Sequence, residues 1–100
     1  MPESILTFET ISDIVRPIAE RYGIEAVYLF GSYARDEATA DSDLDFLVFG
    51  GKDFKLTLIF AFAEDLRKSF KKNVDVFEIN EINKSSRFYS NIMKERRLIA

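Results

Sequence analysis

Residues 29–49, LFGSYARDEATADSDLDFLVF, set a Gly-Ser pair and two closely spaced carboxylates between two apolar, strand-like runs, and no other stretch limits the fold so sharply. In a β-strand successive side chains alternate faces, so Asp43 and Asp45 point the same way while the intervening Leu44 points into the core. Two like charges side by side at the end of a hydrophobic strand repel each other and cost stability unless a cation neutralises them. Hard oxygen ligands of this kind suit Mg²⁺ or Mn²⁺. Ahead of them, Val27-Tyr28-Leu29-Phe30 reads as a strand ending in a tight turn at Gly31-Ser32, where glycine lets the backbone come close to a ligand. Ser32-Tyr33-Ala34-Arg35 is expected to open a short helix capped by Ser32, which would aim free N–H groups and the positive helix end at a phosphate.

Ten residues, 33 to 42, separate Ser32 from Asp43 and give the pattern G-S-x10-D-x-D. Each half alone is ordinary, since Asp-x-Asp recurs on solvated strand ends and Gly-Ser in common turns. Together, at this spacing and between two strands, they resemble the signature of the nucleotidyltransferases of the DNA polymerase beta superfamily. More narrowly, the chain resembles the minimal nucleotidyltransferases, stand-alone catalytic domains often found as antitoxin partners of HEPN-type toxins. The LFGS and SDLD phrasing, the later strand Val74-Asp75-Val76 and the ending NIMKERRLIA carry that likeness across nearly the whole chain.

The resemblance implies an α/β (α+β) nucleotidyltransferase core, a small mixed sheet backed by helices, in which the Asp75 strand lies beside the strand of Asp43 and Asp45. It further implies that Asp43, Asp45 and Asp75 hold two Mg²⁺ ions, with ATP as substrate and Gly31 and Ser32 on its β and γ phosphates. Arg35 belongs to an Ala-Arg pair common at this point in the family. It is expected to meet the triphosphate or brace the Asp43 loop, with an ion pair to Asp36 or Asp41 as the purely structural alternative. Asp36 departs from the glycine that many relatives carry after that arginine. Ser42 is expected to brace the turn before Asp43, and Glu78, of opposite strand parity to Asp75, to face away from the site.

Composition narrows the chemistry further. With no histidine and no cysteine, a Ser-His-Asp triad, a thiol nucleophile and a His-ligated zinc site are excluded, leaving carboxylates, hydroxyls, Lys and Arg. One hundred residues, 47% of them hydrophobic, suffice for one core, so a single domain over 1–100 is expected, with a partner macromolecule supplying acceptor recognition. The N-terminus lacks a basic and apolar leader, and the longest apolar run, Leu58 to Ala63, is too short to span a bilayer; a cytoplasmic protein with no membrane association is expected. Residues 1–50 hold 3 basic and 10 acidic side chains, whereas residues 51–100 hold 11 basic and 7 acidic. The basic excess at Arg67, Lys68, Lys71 and Lys72 and at Lys94, Arg96 and Arg97 reads as solvated helix ends that complement the helix dipole rather than a nucleic-acid surface.

Periodicity predicts a helix from about Thr10 to Tyr22 with Gly23 as its stop, kinked by Pro17 or confined to the residues after about Asp13. Strands follow over Ile24–Phe30 and Leu44–Phe49, a long helix over 54–72, a strand over Val74–Ile79, and a last helix from Lys84 or Ser85 to about Glu95 with its cap at Asn83 or Ser85. In the long helix Leu56, Ile59, Phe60, Ala63, Leu66 and Phe70 form one stripe with Leu58 and Phe62 outside it. So wide an apolar arc calls for a second cover, from the C-terminal segment in preference to another chain, although an oligomer through the 54–72 helix stays open.

The leading expectation, on the resemblance, is a Mg²⁺-dependent enzyme moving AMP from ATP onto a protein hydroxyl, such as a tyrosine of a HEPN-type toxin. The alternatives are an antitoxin that acts by occlusion without turnover, and transfer to a small molecule or an RNA end. The short length disfavours the last two.

Overall fold

The structure is a computed structural model that describes residues 5–100. Its elements run α1 (Phe8–Arg21), β1 (Ala26–Phe30), β2 (Leu44–Phe49), α2 (Leu58–Phe70), β3 (Val74–Glu78), a 3-10 turn (Ile79–Glu81), α3 (Arg87–Glu95) and β4 (Arg97–Leu98). The four strands form one mixed sheet in the order β3-β2-β1-β4, with β2 and β3 parallel and the other neighbours antiparallel. The small mixed sheet backed by helices, expected from the sequence, is the observed architecture.

Strand parity divides the molecule into two layers. Val27 and Leu29 of β1, Leu44, Phe46 and Val48 of β2 and Val74 of β3 join Ile11, Val15 and Ile18 of α1 and Phe62 and Leu66 of α2 in the main core. The alternate residues Phe30 and Leu47 face the other way and pack with Ile92 of α3 in a smaller cluster. One face of the sheet is therefore covered by α1 and α2, and the opposite face more thinly, by the short α3 and by Ile79 and Ile82 at the 3-10 turn.

Thr7 caps α1 by accepting from the Thr10 N–H, so the helix begins ahead of the expected Thr10. Pro17 lies inside the helix, which continues to Arg21 and is not confined to the residues after Asp13. Asp13 and Pro17 are both exposed, so the Asp13 carbonyl left without its helical donor faces water. At the other end Gly23, at φ +66°, donates to the Glu20 carbonyl and Ile24 to that of Ala19, the two bonds of a Schellman stop.

In α2 the expected stripe is corrected. Phe62, Ala63 and Leu66 are buried, whereas Phe60 is 77% exposed and Leu56, which precedes the helix, is 45% exposed. The helix starts at Leu58 rather than 54, and either stripe fits a 3.6-residue period; packing on α1 and β3 selects the one through Phe62. The C-terminal segment does not cover the outer side of α2. Instead its Arg97 and Leu98 pair with Leu29 and Tyr28 as the short edge strand β4, which periodicity missed.

The cap of α3 is Ser86, whose Oγ accepts from the Tyr89 N–H, rather than Asn83 or Ser85. Several of the basic side chains are engaged within the molecule: Arg67 donates to the Val74 carbonyl, Lys72 to that of Ala40, and Arg97 lies over the Phe8 ring.

Candidate active site

Register brings the motif together. Antiparallel pairing sets Phe30, the last residue of β1, opposite Asp45 of β2, and parallel pairing sets Asp75 of β3 opposite Asp45 on its other side. One row across the sheet thus runs Phe30, Asp45, Asp75, with Gly31 one step beyond its first member and Asp43 just ahead of β2. Leu44 is fully buried and Asp45 half-buried on the opposite face, the alternation expected of Asp-x-Asp on a strand. The carboxylate row lies on the thinly covered face, where a cleft of about 590 Å³ is lined by Gly31, Ser32, Arg35, Asp45, Phe88 and Glu95 among others.

Gly31 and Asp45 fit against each other. Gly31 sits at φ +78°, in the left-handed region, and a Cβ at this position would collide with the Asp45 carboxylate oxygen Oδ2. The turn that follows is held by the Ala34 and Arg35 N–H groups, which donate to the Gly31 carbonyl, and by the Glu37 N–H, which donates to that of Ser32. The short helix expected to open at Ser32 does not form, because Asp36 enters the left-handed region at φ +58° and ends the turn. This conformation also gives the physical reason for a glycine after the arginine: a residue without Cβ occupies it with less strain.

The carboxylates shape one another's charge. Burial in the cleft floor pushes the Asp45 carboxyl up to about 6, with the negative charges of Asp75 and then Asp43 acting in the same direction. Asp43 and Asp75 are exposed. Among the described residues no three acidic groups stand gathered as a metal cluster, so the three aspartates are neighbours in register and in field rather than a preassembled cage. Three repelling oxygen donors, one of them forced toward neutrality, are nevertheless a donor set that a hard divalent cation satisfies.

Arg35 pairs neither with Asp36 nor with Asp41. Its Nε donates to Glu37 at 3.0 Å and its Nη1 to both carboxylate oxygens of Glu95, at 3.1 and 3.0 Å. Glu95 also accepts from the Gly31 N–H at 3.0 Å. The sequence reading did not include Glu95, Phe88, Asn91 or Lys94 in the site, yet all line the cleft. A signal for Glu95 was present, since a carboxylate in the last turn of a helix opposes the helix dipole and calls for a reason. Ser42 braces its turn as expected by accepting from the Thr39 N–H at 2.8 Å. Glu78 is buried away from the site and accepts from the N–H groups of Gly50 and Asn80.

Comparison with known proteins adds family information to this geometry. The family model described as polymerase beta, nucleotidyltransferase matches residues 12–100. A Methanocaldococcus jannaschii protein provisionally named a protein adenylyltransferase is 36% identical over 67 residues, covering 67% of this chain and 72% of that protein. A solved structure provisionally named a minimal nucleotidyltransferase is 28% identical, with a TM-score of 0.76, and the match covers 94% of this chain and 97% of that one. The fold is also that of a structure described as a tri-AMPylated Shewanella oneidensis HEPN toxin in complex with an MNT antitoxin. There the TM-score is 0.72 at 14% identity, over 94% of this chain and 72% of that chain. Among the described residues no helix is long and apolar enough to cross a membrane.

Proposed function

This chain belongs to the polymerase beta nucleotidyltransferase family, and we propose that it is a protein adenylyltransferase that moves AMP from ATP onto a hydroxyl of a partner protein, a tyrosine of a HEPN-type toxin. The observation that carries this reading is the row of Asp45 and Asp75 in parallel register, with Asp43 ahead of them and the Gly31-Ser32 turn beside them. The relative named for protein adenylyl transfer and the AMPylated toxin of the S. oneidensis complex support the choice of donor and acceptor.

In this reading Gly31, Ser32 and Arg35 hold the β and γ phosphates: the glycine turn admits them to the backbone, and the guanidinium supplies charge. Asp43, Asp45 and Asp75 would hold two Mg²⁺ ions. Asp43 and Asp75 are exposed, so their side chains are free to rotate toward a bound cation. When bound, the ions neutralise triphosphate charge and lower the pKa of the attacking hydroxyl. The acceptor oxygen attacks the α-phosphorus in line, the bond from that phosphorus to the oxygen bridging the α and β phosphates breaks, and pyrophosphate leaves with that oxygen. Asp75, exposed at the sheet face where a macromolecular acceptor can reach it, takes the hydroxyl proton on a carboxylate oxygen.

Incubation of the protein and its copurified native partner with Mg²⁺ and ATP labelled at the α-phosphate tests the reading. Label on the partner that disappears in Asp43→Asn/Asp45→Asn is the expected result. A stable complex that takes up no label would instead favour inhibition by occlusion.

A further inference from the structure

We propose that Glu95 is a built-in competitor for the nucleotide's phosphates: its carboxylate occupies the Gly31 N–H and the Arg35 guanidinium in the nucleotide-free protein, and a triphosphate must displace it to bind. The inference rests on the reading of Gly31 and Arg35 as phosphate donors given above.

The contacts are those an anion would make. One Glu95 oxygen accepts from both the Gly31 N–H and Arg35 Nη1, and the other accepts from Nη1 again. The three distances, 3.0 to 3.1 Å, are ordinary for charge-assisted hydrogen bonds. A backbone N–H freed by a glycine turn together with a guanidinium is a recognition pair for phosphate oxygens, and here a side-chain carboxylate fills it. Glu37 holds the Nε of the same guanidinium at 3.0 Å, so Arg35 stands between two carboxylates.

Glu95 holds this position against local electrostatics. It is the last residue of α3, where the negative end of the helix dipole disfavours a carboxylate. Its charge also adds to that of Asp75 and Asp43 in pushing up the Asp45 carboxyl. The donors of Gly31 and Arg35 offset both costs, which is why the side chain is found on them. A triphosphate brings several negative charges to the same donors and wins them by charge. The displaced Glu95 side chain, at the rim of an open cleft and already 20% exposed, swings to water without breaking the core. Nucleotide affinity is then set by a difference between two anions competing for the same donors.

Calorimetric titration of Mg²⁺-ATP, and separately of inorganic triphosphate, into the wild type, Glu95→Gln, Glu95→Ala, Arg35→Ala and Glu81→Gln tests the proposal without turnover. Both Glu95 variants are expected to bind both ligands about tenfold more tightly than the wild type. Glu81→Gln, which removes the same charge away from the cleft, is expected to leave affinity unchanged. If Glu95 merely braces the turn, Glu95→Ala weakens binding and Glu95→Gln restores it, which overturns the proposal. An equal gain in Glu81→Gln would show a general charge effect and overturn it as well. Arg35→Ala separates the two levels of the argument. Weaker binding in that variant with no gain in the Glu95 variants sinks the competitor alone, whereas unchanged binding removes the phosphate role of Arg35 and the competitor with it.

Discussion

Asp45 is where the two halves of the sequence motif meet, since its carboxylate packs against Gly31 and is flanked by the charges of Asp75 and Asp43. Its carboxyl is raised from 3.8 to about 6, so the folded chain holds this proton more tightly than the unfolded one. The resulting stabilisation is full below about 3.8 and is lost as pH rises through about 6. In chelator near pH 7, Asp45→Asn should therefore unfold later in urea by about 1–2 kcal/mol, a value discounted for the half-exposed site, and this advantage should vanish in acid. A second prediction concerns Asp36. Because it occupies φ +58°, Asp36→Gly should raise stability by roughly 0.5–1 kcal/mol in the same assay. Gly31→Ala should do the reverse and also abolish nucleotide binding, since its Cβ would strike Asp45. Asp43, Asp45 and the glycine turn were legible because strand parity and local spacing suffice to place them. For Glu95 only its place against the helix dipole was a signal; its role was not legible, because its partners are Gly31, 64 residues earlier, and Arg35, 60 residues earlier, and only tertiary structure brings them together.

Among the elements, β2 was read with its observed bounds because turn residues stop it at both ends and, Asp45 apart, its residues are all apolar. Two-residue β4 has no periodicity of its own and exists only by pairing with β1, so no local signal revealed it. The stripe of α2 was ambiguous for a related reason: Phe60 keeps helical spacing with Leu56 and Ala63, Phe62 keeps it with Ile59 and Leu66, and only the position of β3 and α1 decides which one is buried. Helix α3 carries Phe88, Ile92 and Glu95, the cover of the cleft, and Ser86 is its cap. Ser86→Ala should cost about 1 kcal/mol in denaturant unfolding and speed amide exchange in the first turn of α3. Pro17 sits on the solvent side of α1, and Pro17→Ala should raise the melting temperature by restoring a donor to the Asp13 carbonyl.

At the scale of the whole molecule, two helices cover one face of the sheet and the short α3 with the 3-10 turn covers the other, and the carboxylate row lies on the thinner side beside exposed Phe77 and Phe88. That asymmetry leaves the site open to a macromolecular acceptor. Family and fold were legible because the Gly-Ser and Asp-x-Asp spacing is set by one β-turn-β unit; the convergence of Asp75 depended on the parallel pairing of β2 and β3, which no local pattern encodes. Nucleotidyl transfer by this chain requires that the three aspartates act together on divalent cations. The most direct measurement is to count Mn²⁺ bound per chain by electron paramagnetic resonance in the presence of a non-hydrolysable ATP analogue. About two ions are expected in the wild type and none in Asp43→Asn/Asp45→Asn, with Asp75→Asn losing one. Unchanged Mn²⁺ binding in those variants, or none in a folded wild type, would contradict that joint action.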